Sequence, residues 1–339
     1  MWRCFPHLVG LGLALQVCAQ TGPEPVDMGR GAWGRLAPDD KGRWWMVLTR
    51  FPAPRTSHLE ILISTNHCRD WTPLARVSEP GRLVDNGHLL LRSDGTLLLA
   101  ARSLHEGESY QLPVYASTNE GRTWQRWSCI DAIEGPVAQQ KRGLWEPFLF
   151  SLPDGRVSVI YSSEKHEGYS QVLSQKSSPD GGRTWGPEHR IVEEPKGGRL
   201  RPGMGVVTRT HDGRFLLVYE VVGLGRGQVH FKRSEDGERW PPGLGTPVPG
   251  HEAAPWVLAL RDGRLLLTSC RNTLSISTNG GLTWLPVGGE PWPVRFQYTW
   301  PALYEIAPET ILASRSEGPV RLYFCRIPSP ARRHSDPPE

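Results

Sequence analysis

Long runs of one charge sign are missing from this sequence. Its 39 Lys and Arg residues are nearly matched by 35 Asp and Glu residues, so the net charge is only +4 over 339 residues. Proteins whose main partner is nucleic acid or an anionic membrane usually concentrate basic residues in one stretch or on one face. The charge pattern therefore argues against both partners.

Common motifs of cofactor binding and of nucleophilic catalysis are also missing. The sequence contains no Gly-rich phosphate loop, no Cys-x-x-Cys pair and no nucleophile elbow. The histidines His88, His166 and His251 are not spaced as metal ligands are. We therefore expect neither a cofactor nor a metal ion.

Only the N-terminus carries an apolar stretch suited to membrane targeting. Arg3 precedes the apolar run LVGLGLALQV, and Val17 and Ala19 occupy the small-residue positions of a cleavage site before Gln20. This pattern is typical of a secretory signal peptide, and a membrane anchor or a buried strand is the alternative. We expect residues 1–19 to be removed and the mature protein to be extracellular, with no membrane span.

Cysteine is scarce beyond that segment. The four residues Cys68, Cys129, Cys270 and Cys325 remain. An even number suits an oxidising compartment, but three pairings are possible and the spacing selects none of them. Free buried thiols are an equally good interpretation.

Turn-forming residues, in contrast, are plentiful and regularly placed. Four segments consist of an apolar run, an Asp-Gly turn and a second apolar run, with the turns at Asp94, Asp154, Asp212 and Asp262. Weaker copies lie around residues 41–42 and 308–309, which makes six. Asp-Gly accepts the positive φ values of a tight turn, so each copy predicts a β-hairpin.

A second element alternates with these hairpins. Its form is Ser-x-Asp/Asn-x-Gly-x-x-Trp, and its copies end at Trp71, Trp124, Trp185, Trp240 and Trp284. The Asp or Asn side chain is expected to bond forward to the backbone, Gly to take a strained position, and Trp to cover the turn. The first copy has Cys68 in place of Gly, and the fourth is one residue short.

Hairpins repeating every 50 to 60 residues, with two such hairpins per repeat, predict an all-β fold. The prediction is a six-bladed β-propeller with four antiparallel strands per blade, spanning residues 24–328. The last repeat is one strand short, so PEPVDMG near the N-terminus is expected to supply its outer strand. Residues 329–339 are expected to form a disordered tail.

The repeated element resembles the Asp-box, or BNR repeat, of sialidases and related six-bladed propellers. The segments WEPFLFSLPDGRVSVIYSSE and RPGMGVVTRTHDGRFLLVYE resemble the exo-arabinanases of glycoside hydrolase family 93, most clearly over residues 80 to 225. This resemblance implies a secreted, monomeric, exo-acting and retaining glycosidase with a carbohydrate substrate. In that family the Glu of WEP and the Glu that closes VYE are the catalytic pair, which here are Glu146 and Glu220.

Strand direction predicts which face carries the site. Both turn types lie on one face, so the starts of first strands and the ends of second strands meet at the other face. Charged and aromatic residues concentrate at those positions. The predicted substrate-binding residues are Asn86, His88, Arg102, Trp145, Glu164, Arg201, Trp256, Arg271, Trp300 and Arg315.

Glu146 and Glu220 stand at this face on neighbouring predicted blades. Two carboxyl groups that flank a glycosidic bond are the usual arrangement for hydrolysis, and burial beside Trp145 and Tyr219 would raise a pKa. The alternative is that either Glu pairs with an Arg, such as Arg201, and only supports the rim.

Two further hypotheses remain open. A sialidase-like enzyme would use Tyr298 as nucleophile with Glu220 and would need arginines such as Arg102, Arg271 and Arg315 to bind a carboxylate. The Arg-Ile-Pro motif that opens sialidases is missing before the first blade, which counts against it. A non-catalytic propeller that binds glycans or proteins needs only the fold.

Overall fold

The computed structural model describes residues 20–140, 142–194, 198–270, 273–288, 292 and 300–329. The predicted signal peptide, the tail beyond Ser329, Arg271 and Tyr298 lie outside the described residues, so the hypotheses about them stay predictions. The propeller boundaries at residues 24 and 328 likewise stay a prediction.

Nearly all regular structure in these ranges is β. One helical turn, α1 (Pro136–Gln139), is the exception among the described residues. The strands are β1 (Gln20–Thr21), β2 (Val26–Arg30), β3 (Ala32–Pro38), β4 (Trp44–Arg50), β5 (His58–Ser64), β6 (Thr72–Val77), β7 (Leu83–Leu91), β8 (Leu97–His105), β9 (Ser109–Ser117), β10 (Gln125–Glu134), β11 (Leu144–Ser151), β12 (Val157–Ser163), β13 (Val172–Ser178), β14 (His189–Val192), β15 (Arg201–Arg209), β16 (Phe215–Val222), β17 (Gln228–Ser234), β18 (Thr246–Glu252), β19 (Trp256–Ala259), β20 (Leu265–Thr268), β21 (Leu274–Ser277), β22 (Leu285–Pro286), β23 (Ala302–Ala307), β24 (Thr310–Ser316) and β25 (Pro319–Arg326).

These strands form six antiparallel sheets, which confirms the predicted six-bladed propeller. Blades 1 to 5 are β3–β6, β7–β10, β11–β14, β15–β18 and β19–β22, each with its strands paired in chain order. Blade 6 consists of β23, β24 and β25, completed by β2 and by the short β1, which both pair with β25.

The Asp-Gly turns form as the sequence predicts. In blade 2 the carboxylate of Asp94 accepts a hydrogen bond from the backbone N–H of Thr96 at 2.9 Å. Gly95 has a φ of 84°, a conformation that glycine adopts without the steric penalty of a side chain. The turn therefore fixes the register of the first two strands, and with it the position of each side chain at the far end.

The Asp-boxes also have the expected internal bonds. In blade 2 the side-chain oxygen Oδ1 of Asn119 accepts a hydrogen bond from the backbone N–H of Thr123 at 3.0 Å. The Ser117 hydroxyl accepts one from the backbone N–H of Gly121 at 2.9 Å. Trp124 folds back and donates its indole N–H to the Gly121 carbonyl at 3.0 Å. The degenerate first copy keeps this geometry, with Cys68 at a φ of 62°.

Apolar side chains fill the spaces between neighbouring blades. Leu97 and Leu99 of β8 lie in one buried cluster with Val47 of β4 and with Leu59 and Ile61 of β5. Similar clusters join blades 2 and 3 and blades 3 and 4, and the largest joins blades 4, 5, 6 and 1. The hydrophobic effect thus holds the ring together blade against blade.

The N-terminal strand closes the ring, as predicted. Val26 pairs with Leu322, and Asp27 pairs with Arg321, in the ladder between β2 and β25. Arg50 at the end of β4 donates to the carbonyls of Met28 and Arg30, both at 2.8 Å, and forms an ion pair with Glu60. The closing strand is therefore attached to blade 1 as well as to blade 6.

The four cysteines follow the free-thiol interpretation. None of them forms a disulfide with another described residue, and Cys68, Cys270 and Cys325 are buried. Across the same ranges, the structure has no helix long and apolar enough to cross a bilayer.

Deleting residues 20–28 tests the closure. The deletion exposes the edge of β25 and removes the partly buried Val26 and Met28 from the core. We expect the melting temperature to fall by on the order of 5 °C or more, measured by differential scanning fluorimetry. Lys41→Ala, an exposed residue in a turn of blade 1, is the control. A melting temperature equal to that of the control would contradict the closure.

Candidate active site

A repeated kink lies at the start of the first strand in each blade. In blades 1 to 4 the ladder between the first two strands shifts by one residue at this point, which is a β-bulge. One residue there has a positive φ, and blades 5 and 6 have the equivalent residue just before β19 and β23. The six residues are Trp33 (φ 52°), Asn86 (50°), Glu146 (57°), Met204 (53°), Ala254 (42°) and Trp300 (34°).

Close packing favours Gly or Pro at the next position. The residues that follow are Gly34, Gly87, Pro147, Gly205, Pro255 and Pro301. At Gly87 an added Cβ would lie 2.9 Å from Cγ2 of Val47, inside the core between blades 1 and 2. The bulge thus seals the core and leaves the left-handed residues in a ring at one mouth of the propeller. We call these six the mouth ring.

Glu146 is the acidic member of the mouth ring. Its Oε2 accepts hydrogen bonds from the Ser162 hydroxyl at 3.1 Å and from the backbone N–H of Met204 at 2.9 Å. Burial raises the pKa of this carboxyl, while the two hydrogen bonds and the charges of Arg102 and Arg201 oppose that rise. The two hydrogen bonds therefore hold the carboxyl in place, and they favour its ionised form against the effect of burial.

Glu220 lies beside Glu146, on β16 of the next blade. One oxygen of its carboxyl, Oε2, accepts a hydrogen bond from the backbone N–H of Ala254 at 2.6 Å. Burial raises the pKa of Glu220 to about 7, and the negative charge of Glu146 adds to the rise. The side chain is accordingly about half protonated at neutral pH.

Gly203 connects the two carboxyl groups. It pairs with Glu220 across the ladder of β15 and β16, and a Cβ built on it would lie 3.6 Å from Oε2 of Glu146. Directly opposed residues of a ladder present their side chains on the same face of the sheet. Both glutamates therefore lie close to Gly203, and the charge of Glu146 acts on Glu220.

Capping of the bulge does not by itself require a carboxylate. The Thr49 hydroxyl accepts from the N–H of Asn86 at 3.1 Å, and the Ser316 hydroxyl accepts from the N–H of Trp33 at 2.9 Å. Glu220 makes the equivalent bond to Ala254, but it also places a second carboxyl oxygen in the mouth. A hydroxyl would serve the backbone equally well, so the carboxylate provides chemistry that the fold does not need.

The arginines near the pocket already have partners. Arg102 forms a two-pronged ion pair with buried Asp85, and its guanidinium carbon lies 4.5 Å from the centre of the Trp145 ring. Arg201 bonds to Oε1 of Glu164 at 2.5 Å and to the Gln171 side chain at 2.8 Å. Arg201 therefore forms its ion pair with Glu164 and not with Glu146 or Glu220. Neither of these two glutamates forms an ion pair with another described residue.

Some predicted binding residues are less accessible than expected. Glu164 is buried, with Oε2 bonded to the N–H of Gly143, and half-buried Trp145 has one face covered by Arg102. Arg315 is 1% exposed and lies near Glu317 and Tyr323 inside blade 6. Side chains alternate along a strand, so Arg315 and its neighbour Ser316 point to opposite sides of β24. Ser316 points toward the mouth, and Arg315 therefore points away from it. Arg315 thus offers almost no surface to a substrate, and its role in binding stays a prediction.

Below the mouth ring lies a small pocket in the central channel. The empty space is roughly 300 Å³, and Glu146, Asn86 and Met204 form part of its lining. Buried His88 and Trp256 lie deeper, and burial lowers the pKa of His88 to about 3, so its ring is neutral. Arg35 completes the wall and stacks on Trp256 at 4.8 Å.

Two aromatic residues at the mouth were missed by the sequence analysis. Trp33 contacts Trp300 with ring centres 5.4 Å apart, and Phe51 lies 6.3 Å from Trp33. Trp300 itself was predicted, and it is 37% exposed. The signal that could have found Trp33 is the Trp33-Gly34 pair near the start of β3, which matches the Asn86-Gly87 pair in β7. The described residues contain no cluster of three or more potential metal ligands.

Comparisons with known proteins agree with this architecture. Residues 127–297 match the family model described as "BNR repeat-like domain". A search of curated proteins found no match.

Solved structures of similar fold include two proteins that act on arabinose-containing sugars. The Penicillium chrysogenum α-L-arabinanase, solved with arabinobiose, is 22% identical, with a TM-score of 0.76 over 92% of this chain and 97% of that chain. The α-L-arabinofuranosidase of Fusarium graminearum is 17% identical, with a TM-score of 0.75 over 92% and 97%. A sialidase of Streptococcus pneumoniae is 11% identical, with a TM-score of 0.61 over 91% and 70%. Similarity at these identities shows the shared fold.

The raised pKa of Glu220 predicts a specific pH dependence of stability. Between the ordinary Glu pKa of about 4.3 and about 7, the folded protein keeps a proton that the unfolded chain releases. Glu220 therefore makes folding less favourable as pH rises through this window. We expect Glu220→Gln to match the wild type near pH 4.5 and to melt on the order of 2–5 °C higher at pH 8.

Glu238 is the control, because its pKa is shifted in the opposite direction to that of Glu220. The Arg156 guanidinium lowers the pKa of Glu238 on the turn face, so its stabilising effect is present at high pH and lost on acidification. Glu238→Gln should be destabilising at pH 8 and less destabilising as the pH falls below the ordinary Glu pKa. If Glu220→Gln behaves in the same way as Glu238→Gln, the raised pKa of Glu220 is wrong.

Proposed function

The chain belongs to the family of BNR repeat-like domains, and on that premise we propose that it is an exo-acting glycoside hydrolase with Glu146 and Glu220 as its catalytic pair. The observation that carries the proposal is the pair itself. Two half-buried glutamates stand on neighbouring blades at the channel mouth, and the charge of one raises the pKa of the other.

The two environments suggest different roles. Glu220 holds a proton near neutral pH, so it serves as the acid that protonates the leaving oxygen. Glu146 receives two hydrogen bonds that favour its ionised form, so it serves as the nucleophile. The opposite assignment would require the better stabilised carboxylate to carry the proton.

The proposed reaction has two displacements. An oxygen of Glu146 bonds to the anomeric carbon while the glycosidic C–O bond breaks and Glu220 protonates the departing oxygen. The Glu220 carboxylate then takes a proton from water, the hydroxide oxygen bonds to the anomeric carbon, and the bond to Glu146 breaks. Two inversions give a product with the configuration of the substrate, so the enzyme is retaining.

The arrangement of charges favours a neutral substrate. Arg102 is committed to Asp85, Arg201 to Glu164, and Arg315 is buried. A sialidase-like site would need such arginines to receive a substrate carboxylate. The fold similarity to an arabinanase and an arabinofuranosidase, together with the matching segments around Glu146 and Glu220, supports arabinose-containing oligosaccharides as substrates.

The small size of the pocket supports exo action. Its empty space of roughly 300 Å³ includes solvent at the open mouth, so the enclosed part is far smaller than a groove for a polymer. A short pit of this kind takes the end of a chain, whereas a long open groove would bind a polymer internally.

We also propose that the protein is secreted and acts as a monomer. The pattern in residues 1–19 supports cleavage before Gln20, where the first ladder begins. Expression of the full sequence in a eukaryotic host should yield a protein in the medium that begins at Gln20 by N-terminal sequencing. Retention of the protein inside the cell would argue against secretion.

Conversion of each glutamate to Gln tests the catalytic proposal. We expect Glu146→Gln and Glu220→Gln to lower kcat on arabino-oligosaccharides by on the order of 10³-fold or more, because proton transfer and covalent attack act in the transition state. The losses should not add in the double variant, since the two groups act as one unit. Activity is measured by release of reducing sugar.

A 2,4-dinitrophenyl arabinoside separates the two roles, because its leaving group needs no protonation. Glu220→Gln should still show a burst of dinitrophenol, whereas Glu146→Gln should show none. Glu220→Thr is the matched control: it imitates the cap made by Thr49 and should fold, yet remain inactive on natural linkages. Wild-type turnover in either Gln variant would refute the catalytic role of that glutamate, and the absence of hydrolysis by the wild type would leave a binding propeller as the better interpretation.

A further inference from the structure

Three aromatic side chains form an exposed cluster across the mouth from the two glutamates. Trp33 belongs to blade 1 and Trp300 to blade 6, while Glu146 and Glu220 belong to blades 3 and 4. Phe51, directly after β4, is 52% exposed and packs edge-on against Trp33 at 6.3 Å. Trp33 and Trp300 contact each other at 5.4 Å. We call these three residues the aromatic platform.

Backbone strain at the platform indicates a role other than folding. Trp33 and Trp300 have φ values of 52° and 34°, which are unfavourable for large side chains. The equivalent residue in blade 5 is Ala254, so the bulge does not depend on an aromatic side chain. Indole rings at these positions add exposed apolar surface to the mouth, and exposed aromatic clusters mark binding sites.

The platform is connected to the pocket that Glu146 lines. Arg35 donates hydrogen bonds to the carbonyls of Trp300 at 3.1 Å and of Pro301 at 3.3 Å. The same guanidinium lines the pocket together with Glu146 and is influenced by the charge of that carboxylate. One buried side chain thus spans the distance between platform and pocket.

We propose that the aromatic platform binds a second sugar unit, adjacent to the unit that reacts at Glu146 and Glu220. The proposal rests on the function proposed above. The pocket is too small for more than the chain end, and the next unit must leave it at the mouth. A sugar ring offers apolar C–H groups to an aromatic face, while its hydroxyls stay in water. The platform therefore makes the protein select oligosaccharides over single glycosides.

Calorimetric titration of inactive Glu220→Gln protein tests the platform without depending on hydrolysis. The probes are arabinose and arabinobiose, followed by xylose, glucose and galactose with their linear disaccharides. We expect arabinobiose to bind more tightly than arabinose by about 2- to 12-fold, the range of one aromatic contact. Adding Phe51→Ala or Trp33→Ala should remove most of this gain and leave arabinose affinity nearly unchanged.

Two further variants control for structure. Trp33→Tyr should keep the gain, because it preserves an aromatic face. Leu282→Ala removes another exposed apolar side chain, 56% exposed in the last Asp-box on the turn face, and should have no effect. Phe51 lies largely in solvent, so its removal does not endanger the fold, and melting temperatures check each variant.

The outcomes separate the platform from the proposed activity. A chain-length gain that survives Phe51→Ala and Trp33→Ala overturns the platform, as does the absence of binding by every oligosaccharide in the panel. Hydrolysis of arabinosides by the wild type with no chain-length gain overturns the platform alone. A gain that depends on Trp33 and Phe51, in a protein that hydrolyses none of the sugars, supports the platform and overturns the hydrolase.

Discussion

The backbone N–H of a left-handed residue at the start of a blade needs an acceptor, and the preceding blade supplies it. This contact recurs around the ring: Ser316 bonds to Trp33, Thr49 to Asn86, and Glu220 to Ala254. At the junction of blades 3 and 4 the acceptor is Glu146, itself held by Ser162. Because buried N–H groups cannot remain unpaired cheaply, each junction of this kind places a polar side chain at the mouth.

The candidate site uses this need for a hydrogen-bond acceptor at the blade junctions. Where a hydroxyl would suffice, two successive junctions carry carboxyl groups instead. Their proximity then follows from the geometry of the ring rather than from a separate loop or insertion. The raised pKa of Glu220 has the same origin, since a cap that satisfies the backbone must be buried, and a buried carboxyl beside another carboxylate retains its proton. In the proposed function, catalytic chemistry and the seal between blades thus use the same side chains.

Local sequence signals were sufficient for the fold. Asp94 and Gly95 form a turn with bonds that span two residues, and Ser117, Asn119 and Gly121 form an Asp-box with bonds that span four. Such contacts can be read from a short window. The repeat of these windows, with antiparallel direction, was also sufficient to place Glu146 and Glu220 at the same end.

What could not be predicted depends on contacts between blades and on exact register. Trp33 is capped by Ser316, 283 residues away, so no local window shows that the two belong together. Arg315 differs by one residue from the ladder position of Ser316, and a one-residue error moves a side chain to the opposite face of a strand. The commitment of Arg102 to Asp85 and of Arg201 to Glu164 likewise appears only when the ladders are aligned.

The turn face stabilises the fold, and this explains why the mouth can carry strained and destabilising groups. On the turn face, Asp-boxes and Asp-Gly turns satisfy their own backbone, and pairs such as Arg156 with Glu238 join neighbouring blades. These bonds, with the buried apolar clusters between blades, hold each hairpin without help from the mouth. Left-handed Trp33, Glu146 and Trp300 and the raised pKa of Glu220 can then be tolerated at the other end, where strain and altered pKa values serve the proposed binding and catalysis.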